Sequence, residues 1–268
     1  MVSHGVTLAS MASGTDTPLL ALEHVSVHFE GLKALNDVSF SVSSGEIVGL
    51  IGPNGAGKTT AFNVACGFVK ANEGHVHYPA AGRSNLRPNQ LARAGVARTL
   101  QGVGLFPHCN VLENVMAGAH LRPHGGFFTS FLSLPQGVRS ERALRNDALA
   151  MLERLGIADM ASRLPSAIPY GIAKKVSVAR ALMSTPTLLL LDEPASGLDE
   201  AELEDFATLI VELRSTMGVL LVEHDMEFVM PLVHRLVVLN FGQVIASGTP
   251  NEVRANHAVI AAYLGVAE

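Results

Sequence analysis

The feature that most limits what this chain can fold into is the stretch Gly52-Pro53-Asn54-Gly55-Ala56-Gly57-Lys58-Thr59-Thr60, which follows a short apolar run at 46–51. The residues after it, from about Lys58 to Cys66, suit a helix that Gly67 is placed to end. Glycines let the backbone curl so that successive N–H groups aim at one point, and a helix start adds its positive end. Strand, glycine-rich loop, Lys-Thr and helix in that order make the pattern of a phosphate-binding P-loop. Lys58 is then expected to reach the β- and γ-phosphates of a nucleotide, and the Thr59 hydroxyl to hold Mg²⁺.

A second apolar run, Leu188 to Leu191, ends in Asp192 and Glu193. Alone it would read as a buried strand ending in two solvated acids. Beside a P-loop it reads as the other half of a nucleotide site, with Asp192 on the Mg²⁺ shell and Glu193 as base for the attacking water. Further strands are expected at 20–29, 38–42, 219–222 and 236–239 from their alternating or continuous apolar character.

Helix starts are marked by caps. Asn110 with Glu113 forms a capping box for a helix to about Leu121, and Asp199 caps a helix carrying Leu203, Phe206, Ile210 and Leu213 on one face. Thr249-Pro250-Asn251-Glu252 combines a cap, a proline at the first helical position and a capping glutamate. From Arg139, residues Leu144, Ala148, Met151 and Leu155 recur at helical spacing, with Gly156 closing the helix, while 123–137 breaks the pattern. Strands separated by helices imply a mostly parallel α/β sheet.

Composition bounds the rest. The chain has 268 residues, of which 48% are hydrophobic, enough to fill a sizeable core. A net charge of -5 offers no electrostatic case for nucleic acid as a partner. No apolar run approaches the ~20 residues of a membrane-spanning helix, and residues 1–18 read as a flexible tail without the features of a signal peptide. Cys66 and Cys109 lack metal-like spacing and are expected to be reduced thiols.

With both phosphate-site motifs in place, the chain from about Leu20 onward resembles the nucleotide-binding domains of ABC transporters. The resemblance implies a P-loop NTPase (RecA-like) core with an antiparallel β edge and a helical subdomain inserted at about 89–179, within one domain at 19–268. It implies ATP and Mg²⁺ as cofactors. The residues it would place on ATP are Phe29, Gly52, Asn54, Gly55, Ala56, Gly57, Lys58, Thr59, Thr60, Gln101 and Gly171. Phe29 takes the position of the adenine-stacking aromatic, although a lone aromatic on a strand would also suit a core. Gln101 resembles the Q-loop glutamine, which touches Mg²⁺ beside Thr59 and Asp192. Ser196-Gly197-Leu198-Asp199 resembles the D-loop. His224, in Glu223-His224-Asp225, resembles the switch histidine that contacts the γ-phosphate, so the catalytic set is Glu193, His224 and Lys58. The signature segment departs from the family pattern LSGGQ: it reads Ile168-Pro169-Tyr170-Gly171-Ile172, losing the phosphate-binding serine and the glutamine while keeping the Gly171 backbone N–H.

Finer features, namely ARTLQ, VEHDMEFVM, Tyr170 in the signature, the insert at 123–137 and the ending SGTPNEVRANHAVIAAYLG, are similar to ATPases of branched-chain amino-acid importers and of urea or short-chain amide importers. The partners this implies are two integral-membrane permease subunits, a second, non-identical ATPase subunit and a periplasmic or lipid-anchored solute-binding protein. The location it implies is the cytoplasmic face of the membrane, as a peripheral subunit. Phe127, Phe128 and Phe131 could face permease or membrane, but packing inside the helical part is the favoured reading. A soluble, non-transport ABC ATPase is the rival class, and the paired ATPase domains or long coiled-coil inserts usual in that class are not seen.

Overall fold

The computed structural model describes residues 17–99, 102–119 and 135–264. A six-stranded sheet runs in the order β10-β9-β3-β8-β7-β6, formed by β3 (Ile47–Ile51), β6 (Val96–Arg98), β7 (Leu188–Asp192), β8 (Gly218–Val222), β9 (Arg235–Asn240) and β10 (Gln243–Gly248). All neighbours are parallel except the β9–β10 hairpin at one edge. A second, antiparallel sheet has the order β2-β1-β4-β5, from β1 (Leu20–Phe29), β2 (Leu32–Val42), β4 (Glu73–Tyr78) and β5 (Arg83–Ser84).

The apolar runs at β3 and β7 exist because both faces of the parallel sheet are covered. Alternate residues point to opposite faces. Leu189 and Leu191 join one core cluster, in which the sheet packs against helices α2 (Val111–Met116), α3 (Pro135–Arg154) and α4 (Tyr170–Leu182) through Val115, Leu152 and Val176. Leu188 and Leu190 join the other, where Phe62 of α1 (Lys58–Ala65) and Val25 and Val38 of the antiparallel sheet pack. Helices α2 to α4 lie between β6 and β7 in the chain. After β7 come α5 (Glu200–Leu213) and α6 (Met226–Val229), and the chain closes with α7 (Pro250–Arg254) and α8 (His257–Leu264).

The three caps form as their residue types require. Asn110, Asp199 and Thr249 each accept from the backbone N–H three residues on, and Glu113, Glu202 and Glu252 return the bond. Two helix boundaries differ from expectation. Helix α2 ends at Met116 and passes into a 3₁₀ turn at Ala117–Ala119, where Gly118 lies so close to the Arg180 carbonyl that a side chain there would collide with it. Helix α3 begins at Pro135 instead of Arg139, since a proline in the first turn needs no N–H. Strands β4, β6 and β10 carried too few consecutive apolar residues to be read. Both cysteines are free thiols, and burial pushes the Cys66 thiol up to about 11, out of the reactive range. Phe127, Phe128 and Phe131 lie outside the described residues.

Candidate active site

The ends of β3, β8 and β7 lie level, because Leu50 pairs with Val222 and Val222 with Asp192. Whatever follows each strand therefore meets at one edge of the sheet. After β3 comes the glycine loop. Gly52 has φ 152 and Gly57 φ 102, and a Cβ at either would lie 2.2 Å from the Leu239 carbonyl oxygen or 2.7 Å from that of Ala34. Only glycine meets both demands. The loop is pinned from the β9–β10 turn, where the Gly242 N–H donates to Ala56 O at 2.9 Å.

Lys58 opens α1 with its side chain folded over the loop, and Nζ donates to Gly52 O at 2.7 Å and Pro53 O at 3.0 Å. Burial lowers its pKa, against the opposing pull of Glu193 and Glu223. Around it opens a cavity of about 370 Å³ lined by Asn54 to Thr60, Phe29, Glu193 and Phe241. Phe29, the last residue of β1 beside the β1–β2 turn, is 46% exposed, so it is not a core aromatic.

Asp192 ends β7 with its carboxyl pKa raised, first by burial and then by the Glu193 charge, with Arg98 opposing. The next residue, Glu193, has a left-handed backbone (φ 47), and its N–H donates to Val222 O at 2.9 Å. His224 follows β8 and Glu223, with Nδ1 3.9 Å from Glu193 Oε1 and 3.6 Å from Glu223 Oε2. Glu223 is fully buried. Its Oε1 accepts from the Ala195 N–H at 2.7 Å and its Oε2 from the His224 N–H at 3.1 Å, which ties the segments after β7 and β8 together. Burial raises its pKa too.

Of the residues expected at the site, Phe29, Asn54 to Thr60 and Glu193 line this one cavity, with Gly52 just after β3, Asp192 at the end of β7 and His224 beside Glu193. Gly171 does not line it. It sits in the first turn of α4, where its N–H donates to Glu202 Oε1 at 3.1 Å. Gln101 lies outside the described residues. Two contributors had escaped the sequence reading. Phe241, 86% exposed in the β9–β10 turn, faces the cavity together with Phe29, and its place between turn residues Asn240 and Gly242 was the available signal. Lys174 is buried, with Nζ donating to Glu193 O at 3.3 Å and to Pro194 O, and nothing in the sequence separates it from its neighbour Lys175.

Hard oxygen donors suit Mg²⁺, which takes one or two carboxylates and completes its shell with water and substrate phosphate. The Thr59 hydroxyl and the Asp192 carboxylate fit that demand, and Asp192, poorly solvated and beside another acid, gains from a nearby cation. No group of three or more His, Cys, Asp or Glu suited to a metal occurs among the described residues.

A P-loop after a central parallel strand, with an acidic pair at the end of β7, one strand removed across β8, defines a nucleotide-hydrolysing ATP-binding cassette. The chain belongs to the ABC transporter family, whose model matches residues 35–196. A second model, for branched-chain amino acid ATP-binding cassette transporters, matches residues 243–268. Among similar proteins, the high-affinity branched-chain amino acid transport ATP-binding protein LivG of Salmonella typhimurium is 42% identical, over 93% of this chain and 99% of its own. The corresponding protein BraF of Pseudomonas aeruginosa is 38% identical over the same shares. A solved nucleotide-free ATP-binding cassette from an ABC transporter matches with a TM-score of 0.79 at 29% identity, covering 94% of this chain and all of its own.

Proposed function

We propose that this chain binds and hydrolyses ATP to drive an importer of branched-chain amino acids. The observation that carries the ATPase part is the convergence of Lys58, Thr59 and Glu193 on one cavity. The names of the relatives and the C-terminal family match support the substrate class.

In the proposed mechanism the loop N–H groups and Lys58 hold the phosphates, with the Lys58 ammonium moving from the Gly52 and Pro53 carbonyls onto the γ-phosphate. Phe29 and Phe241 would flank the adenine. The Glu193 carboxylate accepts the proton of the attacking water, and His224 contacts the γ-phosphate. Thr59, Asp192 and Gln101 would hold Mg²⁺, which when bound neutralises phosphate charge. Catalysis of this kind is positioning and electrostatics.

No helix among the described residues is long and apolar enough to cross a membrane, and membrane permease partners are what the family and the relatives' transport role imply. A second groove, about 650 Å³, suits them. It is lined by the exposed Phe68 and Phe106, with the Arg98 and Arg180 guanidinium groups 4.1 and 5.7 Å from their ring centres. We assign the partners as two permease subunits, a second ATPase and a solute-binding protein, with this chain on the cytoplasmic face. The helices at 89–179 would form the subdomain that carries the permease contact. ATP hydrolysis by the reconstituted transporter should rise with solute-binding protein loaded with leucine, isoleucine or valine. Stimulation by urea or an amide instead would overturn the substrate assignment.

A further inference from the structure

Glu193 holds its carboxylate toward the nucleotide cavity from a backbone that its type disfavours. Its φ of 47 is left-handed, and it precedes Pro194, where extended backbone is the norm. Such a conformation persists only where the surroundings hold it. One hold is the bond from its N–H to Val222 O at 2.9 Å. A second is the turn bond from the Ser196 N–H to its carbonyl at 3.3 Å, and a third reaches the same carbonyl from a different element. Lys174 of α4 is 6% exposed, and its Nζ donates to Glu193 O at 3.3 Å and to Pro194 O, while the ammonium lies 5.4 Å from the Tyr170 ring centre. Among the described residues no carboxylate lies within ion-pair distance of Lys174, although the Glu223, Glu193 and Glu202 charges favour its ammonium, and its hydrogen bonds go to these two carbonyls. A buried ammonium is costly to place, and here its donors serve the segment that bears the base.

We propose that Lys174 is a positioning residue for Glu193, fixing the Glu193–Pro194 backbone so that the carboxylate meets the attacking water. This rests on the assignment of Glu193 as the base. It has a further consequence: Lys174 rides on α4, the helix opened by the signature segment, so a shift of α4 moves the base.

The test uses the complete transporter for turnover and the full chain for ATP affinity and melting. Lys174→Met keeps the apolar stem and removes the donors. It should lower kcat by about 10- to 100-fold, the scale of an ångström-level misplacement, while ATP affinity and Tm stay near wild type. Lys174→Arg, which keeps donors, should recover most of kcat. Added to Glu193→Gln, Lys174→Met should cause no further loss. A wild-type kcat in Lys174→Met overturns the proposal, as does a parallel loss of affinity or an undiminished extra loss over Glu193→Gln. If Lys174→Met does not fold, Lys174→Gln must show the same split, and failure of both to fold marks a purely structural lysine and overturns it too. Wild-type turnover in Glu193→Gln would instead sink the base assignment, a separate outcome.

Discussion

Lys58 is buried and donates to two loop carbonyls, so its ammonium is held within the loop by the protein's own acceptors. Lys58→Ala should cost at least ~100-fold in ATP affinity, the loss of charge-assisted bonds to two phosphates, and titration calorimetry with ATP would measure it. Glu193→Gln should leave affinity intact and lower kcat by about 100- to 10,000-fold, the usual worth of a placed general base. Wild-type turnover in that variant would remove Glu193 from the role. At this scale the P-loop residues were legible because the glycines, lysine and threonine of the pattern lie within nine consecutive residues, even though distant carbonyls and the Gly242 N–H help to hold the loop. Lys174 and Glu202 were not, because their partners, Glu193 and Gly171, stand 19 and 31 residues away.

Among the elements, α5 shows how a local code and a distant contact share one side chain. Asp199 caps the helix by accepting from the Glu202 N–H at 2.9 Å, and Glu202 returns the bond through Oε2 to the Asp199 N–H at 3.2 Å. The other oxygen of Glu202 takes the Gly171 N–H. Asp199→Ala should therefore cost about 1 kcal/mol for the lost cap, read as a lower denaturant midpoint. A stability unchanged within error would mean that the cap contributes nothing. Strand and helix identities followed from periodicity wherever the runs were long. Strand β6, three residues against β7, exists only because its neighbour is already buried.

For the whole molecule, the resemblance to ABC transporters implies a pairing of two ATPase subunits in which the signature segment of one chain would lie on the nucleotide of the other. Pro169 caps α4 without a side-chain hydrogen bond, and the Gly171 N–H is held by Glu202. One missing bond to a charged phosphate is worth ~1.5–3 kcal/mol, or about 10- to 100-fold. The site built on this chain's P-loop should therefore carry most turnover when the partner's signature is intact. In the assembled transporter, Glu193→Gln here should lower hydrolysis far more than the matching change in the partner, and equal losses would end the asymmetry. Pro169→Ser with Ile172→Gln should then raise activity at the partner's nucleotide.

The sequence by itself determined the strand–loop–helix of the phosphate site, the buried strand delivering Asp192 and Glu193, and the three capped helix starts. Each of these depends on residues within one or two turns of chain, where hydrogen bonds and steric limits act locally. Only the tertiary structure decided that β8 lies between β3 and β7, so that Glu223 can bind the Ala195 N–H across strand ends. It also decided that Phe241 faces the cavity with Phe29, and that Lys174 reaches the Glu193 carbonyl. These contacts follow from how two core clusters pack against opposite faces of one sheet, and packing joins residues by shape and burial, whatever their distance along the chain.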